Sequence, residues 1–507
     1  MNRSYRSIGT LGEFKDFIKD KSVSVVGIAV SNISLLRFLK KCGVEKITAR
    51  DKRNIFEDGG AEELQDIKKI PGIKFILGEN YLDDLNEDVI FKTPGIRRDL
   101  EPFLRAERDG RILTSEIELF LFLCPAKVIA ITGSAGKSST TTITGMILKY
   151  AEDQIGGKVY VGGNLGKPLL GEVEHMTRRD FAVLELSSFQ LFDLDNGRFS
   201  PDYSVIMNIT PNHLDWHKDM REYESAKKII YKYQDKTKRT VLSYDCEATR
   251  ILKGKTGAEE FFFSNSEDKL PESFENGIYI EGGEIVVRTA AASGGGAKKI
   301  KKIIDRSDIV IRGEHNVENF MAAIGVTHDI AGADLSGSIK KAAENFKGVE
   351  HRIEFVREVD GVAYYNSSID SSPTRTITAL NHFDGAGENN EGAGGAEKNI
   401  VVILGGYDKK IAFDPLVPVV SKKAKAAVLY GAAKEKIRKT FENNSNGLSG
   451  ELQLILADNF DAAVEQASGL AASGDIVLLS PACASFDCFK NFEARGNRFK
   501  EIVNGIQ

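Results

Sequence analysis

No two of the five cysteines, Cys42, Cys124, Cys246, Cys483 and Cys488, form a C-x-x-C pair or a regular framework, and their number is odd. That argues against a structural zinc motif and a disulfide scaffold, and it fits a reducing compartment. No apolar stretch approaches the roughly 20 residues that span a bilayer, since the run 119–124 is far too short. The N-terminus leads into a charged segment without an apolar h-region, so no secretory signal is expected. Positive charge is not in excess either. The formal net charge of −5 gives no general attraction to nucleic acid or anionic lipid, and the lysine run at 298–302 reads as a solvated face. Internal repeats are also lacking. A cytoplasmic protein without nucleic-acid or membrane partners is expected.

The 507 residues exceed what one hydrophobic core supports, and a prior of roughly 150 residues per domain suggests about three. Short apolar, β-rich runs at 23–28, 128–132, 181–186, 203–209, 400–404, 426–430 and 475–480 alternate with helical patterns. That alternation specifies an α/β fold with parallel sheets, in which ligands bind beyond the carboxyl ends of the strands. The expected domains are residues 1–110, 111–347 and 348–507. Two glycine-rich tracts, 290–297 and 384–398, hold too few apolar residues to pack and are expected as surface loops.

The strongest local signal is a strand running into Gly133-Ser134-Ala135-Gly136-Lys137-Ser138-Ser139, with a Thr-rich helical stretch behind it. Glycines there let backbone amides turn toward phosphate oxygens at a helix N-terminus. Lys137 would supply a point charge for the β- and γ-phosphates, and the Ser138 hydroxyl a Mg²⁺ ligand. The spacing is shorter than G-x-x-x-x-G-K-[ST], so this is a variant loop. The competing reading is a glycine-rich turn with an adventitious lysine.

Glu185 ends the apolar run FAVLE, where a buried charge needs a compensating cation. Mg²⁺ is one candidate and a structural ion pair the other. His213 and His217 stand at i,i+4, but no third ligand has a suitable spacing, so zinc is not expected. Lys227, in the helical stretch YESAKKIIY, reads from the residues alone as a solvated lysine.

Taken together, these segments resemble the Mur ligase family over nearly the whole chain. The motifs are TGSAGKS at 132–138, GGNLG at 162–166, LELSSFQL at 184–191, NHLD at 212–215 and HNVEN at 315–319. EHR at 350–352, LGGYDK at 404–409 and SPACASFDCFKNFEARGNRF at 480–499 complete the set. The resemblance implies a Rossmann-like UDP-binding domain, a central P-loop ATPase domain with a parallel sheet, and a C-terminal Rossmann-like α/β domain. It also implies an ATP-dependent ligase that extends a UDP-linked muramoyl precursor through an acyl phosphate, releasing ADP and phosphate. The last motif and LELSSFQL resemble the D-glutamate-adding branch. The implied partners are therefore UDP-N-acetylmuramoyl-L-alanine, D-glutamate, ATP and Mg²⁺, acting on a monomer in cytoplasmic peptidoglycan precursor synthesis.

Carried over residue by residue, the catalytic set is Lys137, Glu185, His213 and Lys227. The metal would be held by Ser138, Glu185, His213 and a carbamylated Lys227. ATP would contact Gly133, Ser134, Gly136, Lys137, Ser138 and Ser139, with Asn316, Asn319 and Arg352. The UDP-substrate would contact Gly27, Ile28, Ser31, Asp51, Lys52, Arg53, Thr93, Gly95 and Asn164. D-Glutamate would contact Ser371, Lys409, Ser485 and Phe492. The segment at 27–32 keeps one glycine of G-x-G-x-x-G, which disfavours a hydride-transfer cofactor. Three positions depart from the family pattern: Ala135 replaces a usual Asn, Ser367 a usual Asp, and Asp370 a small residue. A folylpolyglutamate-type ligase and a nucleotide-binding relic without turnover are the competing functional readings.

Overall fold

Strands buried on both faces of a parallel sheet read as continuous apolar runs, and the computed structural model builds three sheets on such runs. It describes residue 5 and residues 7–56, 62–164, 168–214, 216–266, 270–290, 298–311, 313–383, 399–408, 411–444 and 452–506. Residues 291–297 of the first glycine-rich tract, all of the second at 384–398, and the D-glutamate candidate Lys409 lie outside the described residues. The chain divides into two compact units, Met1–Phe346 and Lys347–Gln507. Among the described residues no helix is long and apolar enough to cross a membrane. All five cysteines are free.

The first sheet of the first unit contains β1 (Val23–Val26), β2 (Ile47–Asp51), β3 (Ile73–Leu77), β4 (Val89–Lys92) and β5 (Ile112–Thr114) in the order β3-β2-β1-β4-β5. All of its pairings are parallel. Helix α1 (Val30–Lys41) follows β1 directly. The strand order reverses between β1 and β4, which opens a crevice at their carboxyl ends. β5 lies past residue 110, so this sheet extends beyond the boundary expected there. Its apolar Ile112-Leu113 pair is long enough to pair with β4 but too short to announce a strand.

Helix α2 (Glu116–Leu123) follows β5 and starts on Ser115, whose Oγ accepts the Glu118 amide at 3.3 Å. Glu116 is buried, and its Oε1 has no hydrogen-bond partner among the described residues. Burial pushes its carboxyl up from 4.5 to about 8. Between those values the folded state keeps a proton that the unfolded chain has lost, so stability falls as pH rises. One such group contributes a slope of about 1.4 kcal/mol per pH unit. Glu116→Gln is expected to remove that contribution from denaturant midpoints measured across the window. An unchanged slope would refute the assignment.

The second sheet contains β6 (Lys127–Thr132), β7 (Val159–Gly163), β8 (Phe181–Glu185), β9 (Tyr203–Ile206), β10 (Arg239–Ser243), β11 (Glu259–Phe263), β12 (Gly277–Glu281), β13 (Glu284–Thr289) and β14 (Lys299–Asp305). Their order is β14-β13-β12-β11-β10-β9-β6-β8-β7. β6 lies inside the parallel part, between β8 and β9. The lysine run forms the outer strand β14, where Lys301 pairs with Asp334 at 2.8 Å and Lys302 with Glu284 at 2.6 Å. Charges of this kind discourage edge-to-edge pairing.

Four helices of this part position the site: α3 (Lys137–Tyr150), α4 (Ser188–Leu194), α5 (Met220–Lys232) and α6 (Glu314–Thr327).

The second unit carries β15 (Glu354–Val359), β16 (Val362–Asn366), β17 (Ile400–Gly405), β18 (Ala424–Tyr430), β19 (Gln453–Leu456) and β20 (Ile476–Leu479). Their order is β15-β16-β20-β17-β18-β19, parallel except for β15 against β16. The loops after β16, β20 and β17 therefore leave the same end of three neighbouring strands. Apolar cores cover both faces, and the chain closes with α7 (Phe492–Gly505).

Candidate active site

The turn from β6 into α3 is set by Gly136, which caps the helix at φ +81°. A Cβ there would stand 2.6 Å from Asn319 Oδ1, so a side chain is excluded on two grounds. Lys137 folds back on its own loop, and its Nζ donates to Gly133 O at 2.9 Å and Ser134 O at 3.2 Å. Ser134 Oγ donates to Thr210 O at 2.9 Å and meets Tyr223 Oη at 2.8 Å. At the departure Ala135, the backbone amide donates to Asn208 Oδ1 at 2.9 Å. Asn208, just past β9, was not among the sequence candidates; its position at the end of an apolar strand beside the loop strand was the available signal.

From the helix that packs on α3, Asn319 accepts Thr140 Oγ1 at 3.2 Å and donates to Asn316 Oδ1 at 3.3 Å. Both asparagines are buried beside the loop, and Ser139 is half-buried on the first turn of α3.

β8 runs parallel beside β6 with Glu185 in register with Ile131, so the carboxylate reaches the start of α3. It accepts Ser138 Oγ at 2.6 Å and Asn164 Nδ2 at 2.8 Å. Asn164, expected with the UDP-substrate, thus sits on the proposed metal ligand.

The solvated placement of Lys227 read from the residues alone is overturned, because the side chain is 1% exposed. Its Nζ donates to Gly133 O at 2.8 Å and lies 4.7 Å from the Tyr223 ring centroid. Lys227 stands at i+4 from Tyr223 and i−3 from Ile230, both buried, and so on the apolar face of α5, which packs on β6 and β9. Burial pushes its ammonium well below the usual range; Lys137 adds to the effect and Glu185 opposes it.

The two histidines part company. His213, exposed and left-handed at φ +55°, sets its ring edge-on to Phe189 at 4.9 Å. His217 is buried, with Nε2 2.9 Å from Ser188 Oγ and Nδ1 3.4 Å from Glu222 Oε2.

At the first sheet's crevice, Gly27 takes φ +82°, and a Cβ there would come within 2.4 Å of Thr93 Cγ2. The loops after β1 and β4 therefore touch. The Ile28 amide donates to Asp51 Oδ2 at 2.8 Å, and Arg53 wraps Asp51 through Nε at 3.0 Å and Nη2 at 2.9 Å. Ser31 is half-buried, and exposed Lys52 pairs with Glu79 at 3.4 Å. Asn32, the last residue of the segment 27–32, is buried, donates to Gly27 O at 2.7 Å and fixes the loop. Gly95 offers its carbonyl to Trp216 Nε1 at 2.9 Å.

In the second unit, Ser485 is buried, Ser371 is half-buried, and Phe492 opens α7. Arg495, to which the sequence reading gave no role, ties the loop at Ser368 to the one at Cys483. Fully buried, its Nε donates to Ser368 Oγ at 2.9 Å and its Nη1 to Cys483 O at 3.1 Å. The departures Ser367 and Asp370 are neighbours, with the Asp370 amide donating to Ser367 O at 3.0 Å and Ser480 Oγ donating to Asp370 Oδ2 at 2.8 Å. Exposed Arg352 is flanked by His351 at φ +60° and Ile353 at φ +49°.

Two family models match the chain: "Mur ligase middle domain" over residues 131–327 and "Mur ligase, glutamate ligase domain" over residues 351–483. A curated relative from Clostridium botulinum (strain 657 / Type Ba4), "UDP-N-acetylmuramoylalanine--D-glutamate ligase", is 43% identical over 496 residues, covering 97% of this chain and 99% of its own. Its namesake from Clostridium novyi (strain NT) is 43% identical over 498 residues, covering 98% and 99%. The solved UDP-N-acetylmuramate-alanine ligase of Thermotoga maritima superposes with a TM-score of 0.51 at 18% identity, covering 96% of this chain and 99% of that one. At that identity the superposition speaks for the fold.

Proposed function

The chain belongs to the Mur ligase family, and from that premise we propose that it joins D-glutamate to UDP-N-acetylmuramoyl-L-alanine with ATP, as a monomer in the cytoplasm. The observation that carries this reading is the near-full-length likeness to D-glutamate ligases, together with a phosphate loop on which Lys137, Ser138, Glu185 and Lys227 converge. In this reading the UDP part lies on the loops after β1 and β4, and ATP on the loop after β6. D-Glutamate binds the loops of the second unit that carry Ser371, Ser485 and Phe492.

The Glu185–Ser138 pair offers a carboxylate and a hydroxyl, hard oxygen donors at the start of α3. Among the described residues no three His, Cys, Asp or Glu side chains gather as a ready-made metal cluster. Mg²⁺ suits such a place, because it binds through one or two carboxylates and completes its shell with phosphate oxygens and water. Glu185 and Ser138 would hold it, with His213 and a carbamate on Lys227. When bound, Mg²⁺ supplies charge neutralisation at the transferring phosphoryl group.

A buried amine held below its usual range is the form that adds to CO₂. The Lys227 nitrogen bonds the carbon, a proton leaves, and a cation becomes a carboxylate-like ligand. The precursor's carboxylate attacks the γ-phosphorus, the bond to ADP breaks, and an acyl phosphate forms. The D-glutamate amine then attacks the acyl carbon, gives up a proton as the amide forms, and phosphate leaves. Lys137, released from Gly133 O and Ser134 O, turns to the phosphates, and the loop amides orient them.

Phosphate release with ATP, Mg²⁺ and UDP-N-acetylmuramoyl-L-alanine tests the reading. Release that requires D-glutamate, and is absent with L-glutamate, L-alanine, L-lysine or diaminopimelate, is expected. Release driven by another amino acid, or by none, would overturn it.

A further inference from the structure

The end of β4 and the loop after it are fastened at three points, each to a segment that carries or directly follows one of the proposed metal ligands. Lys92, at the end of β4, donates from Nζ to Asp193 Oδ2 at 2.5 Å and to Ile96 O at 2.9 Å. Asp193 lies on α4, the helix that follows Glu185. Trp216 donates from Nε1 to Gly95 O at 2.9 Å, and from its backbone amide to His213 O at 3.1 Å. Arg97 forks onto Glu222 at 2.9 and 3.0 Å, on the same helix as Lys227, and donates to Trp216 O at 2.8 Å. Its guanidinium also lies over the Trp216 ring at 4.8 Å.

These fastenings are stiff. Lys92 and Asp193 are both buried, so separating them would strand a charge in the core. The Arg97 forks are planar and bidentate, which fixes angle as well as distance. In-line attack demands such control, because a misplacement of about 1 Å lowers the rate roughly 100-fold.

We infer that Lys92, Arg97 and Trp216 are positioning residues that set where the loop carrying Thr93 and Gly95 holds the UDP-linked precursor relative to the phosphate loop. The role rests on the proposed function. Trp216 touches both the substrate loop and the turn of His213, and it is the only tryptophan in the chain. Its emission therefore reports this junction alone.

The experiment uses the full chain. UDP-N-acetylmuramoyl-L-alanine alone is expected to shift wild-type emission, and ATP alone to leave it unchanged. Trp216→Phe keeps the aromatic packing and removes one N–H. It is expected to raise KM for the precursor about 10-fold and lower kcat about 10-fold, with KM for ATP held within about twofold. Arg97→Gln should act in the same direction, and Arg97→Lys should recover part of the loss because it keeps the charge without the fork. A merely structural role would lower kcat with the folded fraction and leave every KM in place; that result, or emission responding only to ATP, overturns the inference. Wild-type protein without D-glutamate-dependent turnover would overturn the proposed function and this role with it. Wild-type turnover with an unchanged precursor KM in Trp216→Phe overturns the positioning role alone.

Discussion

Lys227→Met is expected to lose ligation by roughly 1000-fold or more in kcat, as befits removal of a preorganised group at the transferring phosphoryl. Methionine reproduces the four-atom stem of lysine without its terminal nitrogen, so the side chain can remain in the buried slot against Tyr223 and the strands β6 and β9. What disappears is the nitrogen that donates to Gly133 O at 2.8 Å. Burial disfavours its ammonium, so at neutral pH a larger share is free amine than in an exposed lysine. The free amine is the reactive form toward CO₂. Wild-type protein in ¹³C-bicarbonate should therefore show a carbamate carbon resonance that the variant lacks, and the signal and the activity should fall together as acid protonates the amine. A variant that keeps more than about a tenth of wild-type kcat would end the catalytic assignment. An inactive variant beside a wild type without the resonance would leave Lys227 acting as a plain amine.

Lys137→Met should also lower kcat roughly 1000-fold and weaken ATP, because it removes the point charge that neutralises the phosphates. In this structure Lys137 is held by Gly133 O and Ser134 O, at 2.9 and 3.2 Å. The same carbonyls that hold it can release it toward a stronger anion, and a methionine in its place loses both arrangements. Precursor binding, read from Trp216 emission, should survive, since Trp216 bonds the Gly95 loop rather than the phosphate loop. Turnover above about a tenth of wild type would remove Lys137 from the phosphoryl-transfer step.

The contrast between these two lysines shows what could be read in advance. Lys137 follows a glycine at a strand-to-helix turn, and the geometry that exposes its neighbours' amides is local, so a few residues declare it. Lys227 lies in an ordinary amphipathic helix. Its burial depends on β6 and β9 lying beneath α5, nearly a hundred residues away for β6, and from the residues alone it read as solvated. Glu185 falls between these cases. Its place at the end of an apolar strand was legible, but Ser138 and Asn164 as its partners were not. Asn208 and Arg495 were missed because amide and guanidinium groups that tie loops together have no spacing rule of their own.

The sequence by itself determined the α/β class, the strands β1, β6, β8, β9, β17, β18 and β20, and the phosphate loop. Apolar periodicity, glycine placement and chain direction are properties of neighbouring residues and survive without tertiary context. The tertiary structure decided which charges are buried and with whom, as in Lys92 with Asp193 and Arg97 with Glu222. Each of those pairs joins residues about a hundred or more positions apart, and only the folded sheets bring them within hydrogen-bonding distance. A buried charge is tolerable only where its partner has been brought to it.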